Sequence, residues 1–181
     1  MHTGKKQAEK REFEDARDRI MMGIERRSLT QTDRDRLKTA IHEAGHTLVC
    51  FFTPGARALY KATIVSRGPS LGATYFVPDE QDSTAEKKER VLASIDVCMG
   101  GHVAESLYIG KEGITSGCTG DFSMATQIAQ QAVQQYGMFG SYASTPRSQQ
   151  SEQTMASGDS KVREILEASH GRVKRLLEDK K

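Results

Sequence analysis

The chain has 181 residues, of which 36% are hydrophobic and 28% are charged, enough for one domain with its own hydrophobic core. Its 26 Lys and Arg residues nearly balance 24 Asp and Glu residues, and the charges are interspersed, which excludes the one-sided basic surface of a nucleic-acid-binding protein. No apolar run approaches the roughly 20 residues of a membrane-spanning helix, and three scattered cysteines without a C-x-x-C pair exclude a disulfide framework or a thiolate zinc site.

The first half of the chain predicts two helices and then a small sheet. Apolar residues recur at helical spacing over 7–22, and again every three or four positions over 33–52, until Pro54-Gly55 ends the pattern. Two segments rich in β-branched and aromatic residues, 60–66 and 71–77, flank a turn sequence and predict two strands. We therefore expect an amphipathic helix, a longer helix and a hairpin in this half.

The second half predicts three more helices. A capping-box sequence begins a helix over 83–109, and a glycine-studded loop, 110–120, leads to a second helix over 121–136. The Ser- and Gln-rich stretch 139–158 has no periodicity and is interpreted as a flexible loop, while apolar spacing over 159–181 predicts a last helix that the chain end cuts short. The expected fold class is mainly α with a small β-sheet, an α+β fold.

The sequence His42-Glu43-Ala44-Gly45-His46 lies in the middle of the second predicted helix. Histidines four positions apart lie on one face of a helix, so His42 and His46 can bind one metal ion through imidazole nitrogens. Glu43 points to the side of that face, where its carboxylate can accept a proton from a water molecule at the metal. The pattern indicates zinc-dependent peptide-bond hydrolysis with Glu43 as general base, although H-E-x-x-H also occurs by chance with its histidines packed in a core.

A catalytic zinc usually has three protein ligands and one open position. Asp121 follows the glycine-rich loop that could return it to the second helix, but an Asp there is also explained as the N-cap of the next helix. Glu105 is the other candidate, and it is also explained as a solvated carboxylate or as one that orients a metal-bound histidine. Spacing leaves both acids open as the third ligand.

Glycines at helical positions predict close backbone contacts with other segments. Gly45 lies inside the metal-binding motif, and Gly100-Gly101 lie inside the third predicted helix, where each costs roughly 1 kcal/mol relative to alanine. A glycine lacks the side chain that would keep another backbone away. We expect another segment to approach the motif closely at these positions.

A longer series of motifs accompanies the pentapeptide between about Phe13 and Met138. In chain order they are Ile20-Met21-Met22-Gly23, His42-Glu43-Ala44-Gly45-His46, Lys61-Ala62-Thr63-Ile64, Arg67-Gly68-Pro69, Leu71-Gly72, Met99-Gly100-Gly101, Ala104-Glu105, Thr115-Ser116-Gly117, Asp121-Phe122, Ala125-Thr126 and Tyr136-Gly137-Met138. With them the chain resembles the peptidase domain of the FtsH-type AAA proteases, most closely their mitochondrial i-AAA branch. This series is far more specific than the pentapeptide.

The resemblance implies roles for particular residues. It makes Asp121 the third ligand of one zinc ion per chain, beside His42 and His46, and gives Glu105 a supporting role. It also implies that the strand at Leu71, Gly72, Ala73, Thr74 and Tyr75 flanks the site and takes substrate as an added strand, in which main-chain hydrogen bonds give affinity with little sequence demand.

The resemblance further implies a domain organisation. It predicts an amphipathic helix and connector from an ATPase domain at 1–30, a zinc peptidase core at 31–138, the flexible loop at 139–158 and the C-terminal helix at 159–181. ATP and Mg²⁺ would be bound only by that ATPase domain, because no G-x-x-x-x-G-K-[ST] loop occurs here.

At the level of the whole protein, the resemblance implies a homo-hexameric ATP-dependent protease that degrades unfolded or membrane-derived polypeptides for quality control. It also implies an anchor, outside this chain, in the mitochondrial inner membrane, with the peptidase facing the intermembrane space. The alternative is a catalytically silent assembly module with structural zinc or none, and a third hypothesis is an unrelated helical scaffold with a chance H-E-x-x-H. The presence of His42, Glu43, His46 and Asp121 together argues against the silent module, and the unrelated scaffold would be favoured only if Asp121 lay remote from the two histidines.

Overall fold

The computed structural model describes residues 7–26, 31–67, 70–77, 86–140 and 147–180. Within these ranges the helices are α1 (Lys10–Met22), α2 (Asp33–Phe52), α3 (Lys88–Tyr108), α4 (Thr119–Gln134) and α5 (Glu152–Asp179). The strands are β1 (Leu59–Thr63) and β2 (Ala73–Phe76), and short 3-10 turns lie at Lys111–Gly113, Ser116–Cys118 and Arg147–Gln149. The prediction of a mainly α fold with a small sheet is confirmed, and in the described residues no helix is long and apolar enough to cross a membrane.

Helix α2 has the bounds that its sequence pattern predicts. The Thr32 hydroxyl accepts a hydrogen bond from the backbone N–H of Asp35, 3.1 Å away, and so satisfies one free donor of the first turn. Asp33 and Asp35 place negative charge at the same end, where the helix dipole favours it. The helix ends three residues before Gly55, which has a φ of 78°, a backbone conformation that glycine adopts at little cost.

Helix α3 is the centre of the domain and packs against α2, α4 and α5. It is buried on most of its circumference, as expected for a helix with neighbours on several sides. The core around it is built from its own Val91, Ile95 and Val103, from Val49 of α2, and from residues of the two last helices: Ala125, Ala129, Ala132, Val133, Val162, Ile165, Val173 and Leu177. Helix α5 therefore belongs to the same hydrophobic core as the predicted peptidase region.

Helices α2 and α3 cross in direct backbone contact at the predicted glycines. A Cβ atom on Gly45 would overlap the carbonyl oxygen of Gly100, and one on Gly100 would lie 2.8 Å from the carbonyl oxygen of Gly45. A Cβ atom on Gly101 would overlap the imidazole ring of His42. The predicted close contact is confirmed, and it lies directly beneath the H-E-x-x-H motif.

The hairpin is shorter than predicted. β1 and β2 pair antiparallel, with Ala62 opposite Thr74 and Thr63 opposite Ala73. Beyond Thr63 the chain leaves the ladder, because the Thr63 hydroxyl accepts the N–H of Val65 at 3.1 Å and offers the backbone a local partner instead. The predicted strand extensions at 64–66 and 71–72 are therefore wrong, and part of the predicted turn, residues 68–69, lies outside the described residues.

Helix α1 rests against the hairpin through polar contacts. The Tyr60 hydroxyl donates to Oδ1 of buried Asp18 at 2.9 Å, Lys61 forms an ion pair with the same carboxylate, and Arg17 donates to the Tyr60 hydroxyl at 2.7 Å. The predicted helix at 7–22 is confirmed from Lys10 onward, but its apolar residue Ile20 is exposed. The connector residues 27–30 lie outside the described part.

The starts of three further helices also differ from the predictions. α3 begins at Lys88, and most of the predicted capping box at 83–86 lies outside the described residues. α4 begins at Thr119, so Asp121 is its third residue and not its N-cap. α5 begins at Glu152, where the Ser151 hydroxyl caps the N–H of Thr154 at 3.2 Å, so a loop through 158 is wrong for its last seven residues. This first part of α5 is largely exposed, which is why apolar periodicity could not reveal it.

Candidate metal centre

The two histidines of the motif present the same ring nitrogen to one point. His42 and His46 lie one turn apart on α2, and their Nε2 atoms are 3.0 Å from each other. His46 is buried and His42 is half-buried, with 14% of its side chain exposed. The helical spacing that sequence reasoning used therefore does bring the two imidazoles together.

The other nitrogen of each ring is held by an acceptor. Nδ1 of His42 lies 2.7 Å from Oε1 of Glu105, and Nδ1 of His46 lies 2.7 Å from the backbone carbonyl oxygen of Val97. Neither a carboxylate nor a carbonyl can donate, so both Nδ1 atoms carry the proton and donate it. In the neutral rings each Nε2 is then left with a lone pair, which is the form of histidine that binds a metal.

Asp121 supplies the third atom at this point. Its Oδ2 lies 3.2 Å from Nε2 of His42 and 3.4 Å from Nε2 of His46. The 3-10 turns after α3 return the chain toward α2, and the first turn of α4 then presents the Asp121 carboxylate. In the described part of the chain, these three residues are the one group of His, Cys, Asp or Glu side chains whose ligand atoms lie close enough to hold a metal ion.

The spacing of the three atoms fits a zinc ion. Zinc binds nitrogen and oxygen at about 2.0–2.1 Å with tetrahedral geometry, so two of its ligand atoms are about 3.3 Å apart. The three separations here are 3.0, 3.2 and 3.4 Å. Two lone pairs and a carboxylate that face one another repel unless a cation or a proton lies between them. The donor set, two imidazoles and one carboxylate, is also one that zinc accepts in catalytic sites.

Without a metal, a proton takes the place of the cation. Burial lowers the pKa of His42, but hydrogen bonds to Asp121 and Glu105 outweigh burial and raise the pKa to about 9. Burial raises the pKa of Asp121, but hydrogen bonds with His42 and His46 outweigh it and lower the pKa to about 2. The metal-free site therefore holds His42 as a cation and Asp121 as an anion at neutral pH.

Glu105 lies behind His42, on the side away from the three facing atoms. Its Oε2 accepts the backbone N–H of Thr115 at 2.8 Å, while Oε1 accepts from His42. The carboxylate is almost fully buried, with 2% of its side chain exposed. Of the two acids that spacing left open, the structure brings Asp121 to the Nε2 atoms and gives Glu105 the position of a carboxylate that orients a histidine.

Glu43 is buried beside this group. The Thr74 hydroxyl of β2 donates to Oε2 of Glu43 at 2.7 Å. The hairpin comes this close because of Gly72, where a Cβ atom would lie 3.0 Å from Cγ of Glu43 and 2.6 Å from Cγ2 of Thr39. Glu43 thus contacts the hairpin through Thr74, and it directly follows His42 in the sequence.

A cleft of about 650 Å³ joins these parts of the site. Its walls include the two histidines, Glu43, Glu105 and Asp121, together with the hairpin residues Leu71, Gly72, Ala73 and Thr74. Of the five residues predicted to take substrate, Tyr75 is the one that does not line the cleft. Phe76, which was not among the five, lines the cleft as well.

Three contacts of the site were missed by sequence reasoning. The Val97 carbonyl that holds His46 is a backbone atom, and no residue type marks it. Thr115 belonged to a recognised motif, but its hydrogen bond to Glu105 joins two segments ten positions apart. Thr74 was assigned to the substrate strand, and nothing in its spacing indicated a bond to Glu43, 31 positions away.

The chain matches the model of peptidase family M41 over residues 29–181. It is 43% identical over 172 residues to the mitochondrial inner membrane i-AAA protease supercomplex subunit YME1 of Saccharomyces cerevisiae. The aligned residues are 93% of this chain and 23% of the relative. It is 37% identical over 177 residues to the ATP-dependent zinc metalloprotease YME1L1 of Homo sapiens, and this alignment covers 96% of this chain and 23% of the relative. It is 35% identical over 187 residues to the ATP-dependent zinc metalloprotease FtsH of Rickettsia felis, and this alignment covers 96% of this chain and 29% of the relative. The chain spans about a quarter of the length of these curated relatives.

Proposed function

Because the chain belongs to peptidase family M41, we propose that it is the catalytic part of a zinc metallo-endopeptidase that hydrolyses peptide bonds in unfolded polypeptides. The observation that carries the proposal is the meeting of three ligand atoms, from His42, His46 and Asp121, at 3.0–3.4 Å from one another. Glu43 lines the same cleft and supplies the general base that the chemistry requires.

In this proposal His42, His46 and Asp121 hold one zinc ion per chain. Zinc bound there supplies a Lewis acid and lowers the pKa of a water molecule in its open position toward about 7. Glu105 and the Val97 carbonyl keep the two imidazoles in the tautomer that leaves Nε2 free to bind. The three ligands line the cleft, so a peptide bound in the cleft would lie beside them.

Glu43 moves the proton in the proposed reaction. Its carboxylate accepts a proton from the attacking water and then donates it to the nitrogen of the leaving amine. A carboxylate performs both steps only if it stays close to the reacting atoms, and Glu43 is held there by its helix and by Thr74. The buried surroundings of Glu43 exclude most competing solvent.

The substrate is proposed to bind along β2. Within the described residues β2 pairs with β1 alone, so its other edge has backbone groups available to an added strand. Four of the residues that precede or form the start of β2 line the cleft: Leu71, Gly72, Ala73 and Thr74. Recognition through the main chain suits an enzyme that accepts many unfolded sequences.

For the whole protein we propose an ATP-dependent, homo-hexameric quality-control protease. The support is the resemblance to FtsH-type proteases and the names of the relatives, which are an ATP-dependent zinc metalloprotease and an i-AAA protease of the mitochondrial inner membrane. ATP and Mg²⁺ would bind in an ATPase domain outside this chain. We further propose a mitochondrial inner-membrane location with the peptidase facing the intermembrane space.

The test of the activity is the Glu43→Gln variant. We expect the purified wild-type chain to bind about one zinc and to cleave a flexible fluorogenic peptide slowly. It should leave folded proteins intact, because its sequence contains no G-x-x-x-x-G-K-[ST] loop of an unfolding ATPase. Glu43→Gln is expected to keep the zinc and lose cleavage by a factor of about 10² or more, because it removes the general base. Equal hydrolysis by the variant and the wild type would refute the assignment. A catalytically silent module, the alternative hypothesis, predicts no chelator-sensitive hydrolysis by either.

A further inference from the structure

We infer that Thr74 is a positioning residue for Glu43: its hydroxyl fixes one carboxylate oxygen so that the other faces the reacting water. The inference rests on the proposed function, because it assumes that Glu43 is the general base. The proposed substrate strand would then have a second role besides binding the polypeptide. The strand that receives the polypeptide also orients the group that cleaves it.

The first observation is the direction of the hydrogen bond. Oγ1 of Thr74 lies 2.7 Å from Oε2 of Glu43, and 3.4 Å from the Glu43 backbone carbonyl oxygen. A hydroxyl has one proton to donate, and a carboxylate only accepts, so the shorter contact is the bond that Thr74 makes. In the part of the chain that the structure describes, Thr74 is the one residue that donates to this carboxylate.

The second observation is that the fold is shaped to permit this contact. Gly72 lies two residues before Thr74, and any Cβ there would press on Cγ of Glu43 and on Thr39. The ladder then fixes the register of Thr74 opposite Ala62, so the hydroxyl cannot slide along the strand. A shift by one residue would turn the Thr74 side chain away from Glu43, because side chains alternate between the two faces of a strand.

The consequence concerns the two oxygens of one carboxylate. Oε2 is occupied by Thr74, which leaves Oε1 for the proton of the attacking water and for its delivery to the amine. A general base that is held in one orientation loses less entropy on reaching the transition state than one that rotates freely. A peptide that paired with β2 would also lie in a fixed register relative to Thr74, the residue that holds Glu43. Substrate position and base orientation are therefore set by the same strand.

The test compares three single variants on a flexible peptide. Thr74→Val keeps the shape of the side chain and removes the hydroxyl, whereas Thr74→Ser keeps the hydroxyl. Thr63→Val is the matched control, because Thr63 pairs with Ala73 on the neighbouring strand and does not line the cleft. For each variant we would measure kcat, KM, bound zinc and the melting temperature.

We expect Thr74→Val to lower kcat about tenfold or more, with KM changed less than twofold and one zinc retained. Thr74→Ser should restore kcat to within about threefold of wild type, and Thr63→Val should leave it unchanged. In a Glu43→Gln background, Thr74→Val should cause no further loss, since the residue acts through Glu43.

Three outcomes would overturn the inference. One is an unchanged kcat in Thr74→Val, and another is a Thr74→Ser variant as impaired as Thr74→Val. The third is a loss of kcat that follows loss of zinc or of folded protein, which would make the role of Thr74 structural. Failure of the proposed function is a different result: a wild-type chain that binds zinc and yet hydrolyses peptide no faster than Glu43→Gln.

Discussion

Nδ1 of His42 donates to Oε1 of Glu105 across 2.7 Å, while Nε2 of the same ring lies 3.2 Å from Oδ2 of Asp121. The His42 imidazole therefore lies between two carboxylates, each of which contacts a different ring nitrogen. Glu105 fixes the tautomer and orientation of the ring from behind, whereas Oδ2 of Asp121 lies on the other side of the ring, 3.4 Å from Nε2 of His46. This arrangement makes the two acids separable by experiment.

The two acids should differ in their effect on zinc affinity. Asp121→Ala removes one of three proposed ligands, so we expect it to abolish stoichiometric zinc binding. Glu105→Gln keeps a hydrogen-bonding group behind His42 and should weaken zinc binding by about 10- to 100-fold, the usual cost of losing an orienting carboxylate. Competition with a chromophoric chelator would give both affinities. Full zinc affinity in Asp121→Ala would contradict the proposed ligand set.

Zinc binding should release protons. The pKa of His42 is raised to about 9 in the metal-free site, so the ring carries a proton at pH 7.5 that must leave before Nε2 can bind zinc. We expect release of about one proton per zinc from His42, in addition to protons lost by a zinc-bound water, and an apparent affinity that rises with pH. Calorimetry at pH 7.5 in two buffers of different ionisation enthalpy would count the protons. Glu105→Gln is the control, because loss of this carboxylate lowers the pKa of His42 and should reduce the release; equal release by both proteins would contradict the assignment.

Gly45 should tolerate no side chain. Because a Cβ atom there would overlap the Gly100 carbonyl, Gly45→Ala is expected to lower the free energy of unfolding by about 3 kcal/mol through overpacking. Gly171→Ala is a matched control inside α5, since its Cβ would meet Arg175 at 3.9 Å, and it should raise stability by about 0.5–1 kcal/mol. Urea unfolding of the chelated proteins would measure both. A neutral Gly45→Ala would mean that α2 and α3 do not cross in direct backbone contact.

Asp96 should stabilise the packing of α5 on α3. This buried carboxylate accepts from Ser169 at 2.5 Å and from Arg172 at 2.6 and 2.9 Å. Asp96→Ala removes the shared acceptor and leaves the Arg172 charge half-buried, so we expect a loss of about 2–3 kcal/mol in unfolding free energy. The surface pair of Lys161 and Glu164 gives the comparison, and Glu164→Ala should change stability by less than about 0.5 kcal/mol. Chemical unfolding that ranks the two variants equally would contradict this account.

Local sequence was enough to define α2 and its chemistry. Apolar spacing and Pro54-Gly55 predict a helix over 33–52, and the observed bounds are Asp33–Phe52. The positions of His42 and His46 on one face follow from the pitch of that helix alone. The small sheet and the core-facing side of α5 were predicted for the same reason, because each depends on neighbours only a few residues away.

The remaining features depend on segments that meet after folding. Whether Asp121 or Glu105 reaches the Nε2 atoms depends on where α2 crosses α3 and on the path of the loop between α3 and α4, and the residues alone left both acids open. The Val97 carbonyl that orients His46 is a backbone group without a residue signature. The bond from Thr74 to Glu43 needs the glycine contact at Gly72 and the strand register together. The sequence by itself therefore determined the set of candidate residues, whereas the tertiary structure decided which of their atoms face one another, because that depends on contacts between residues far apart in the chain.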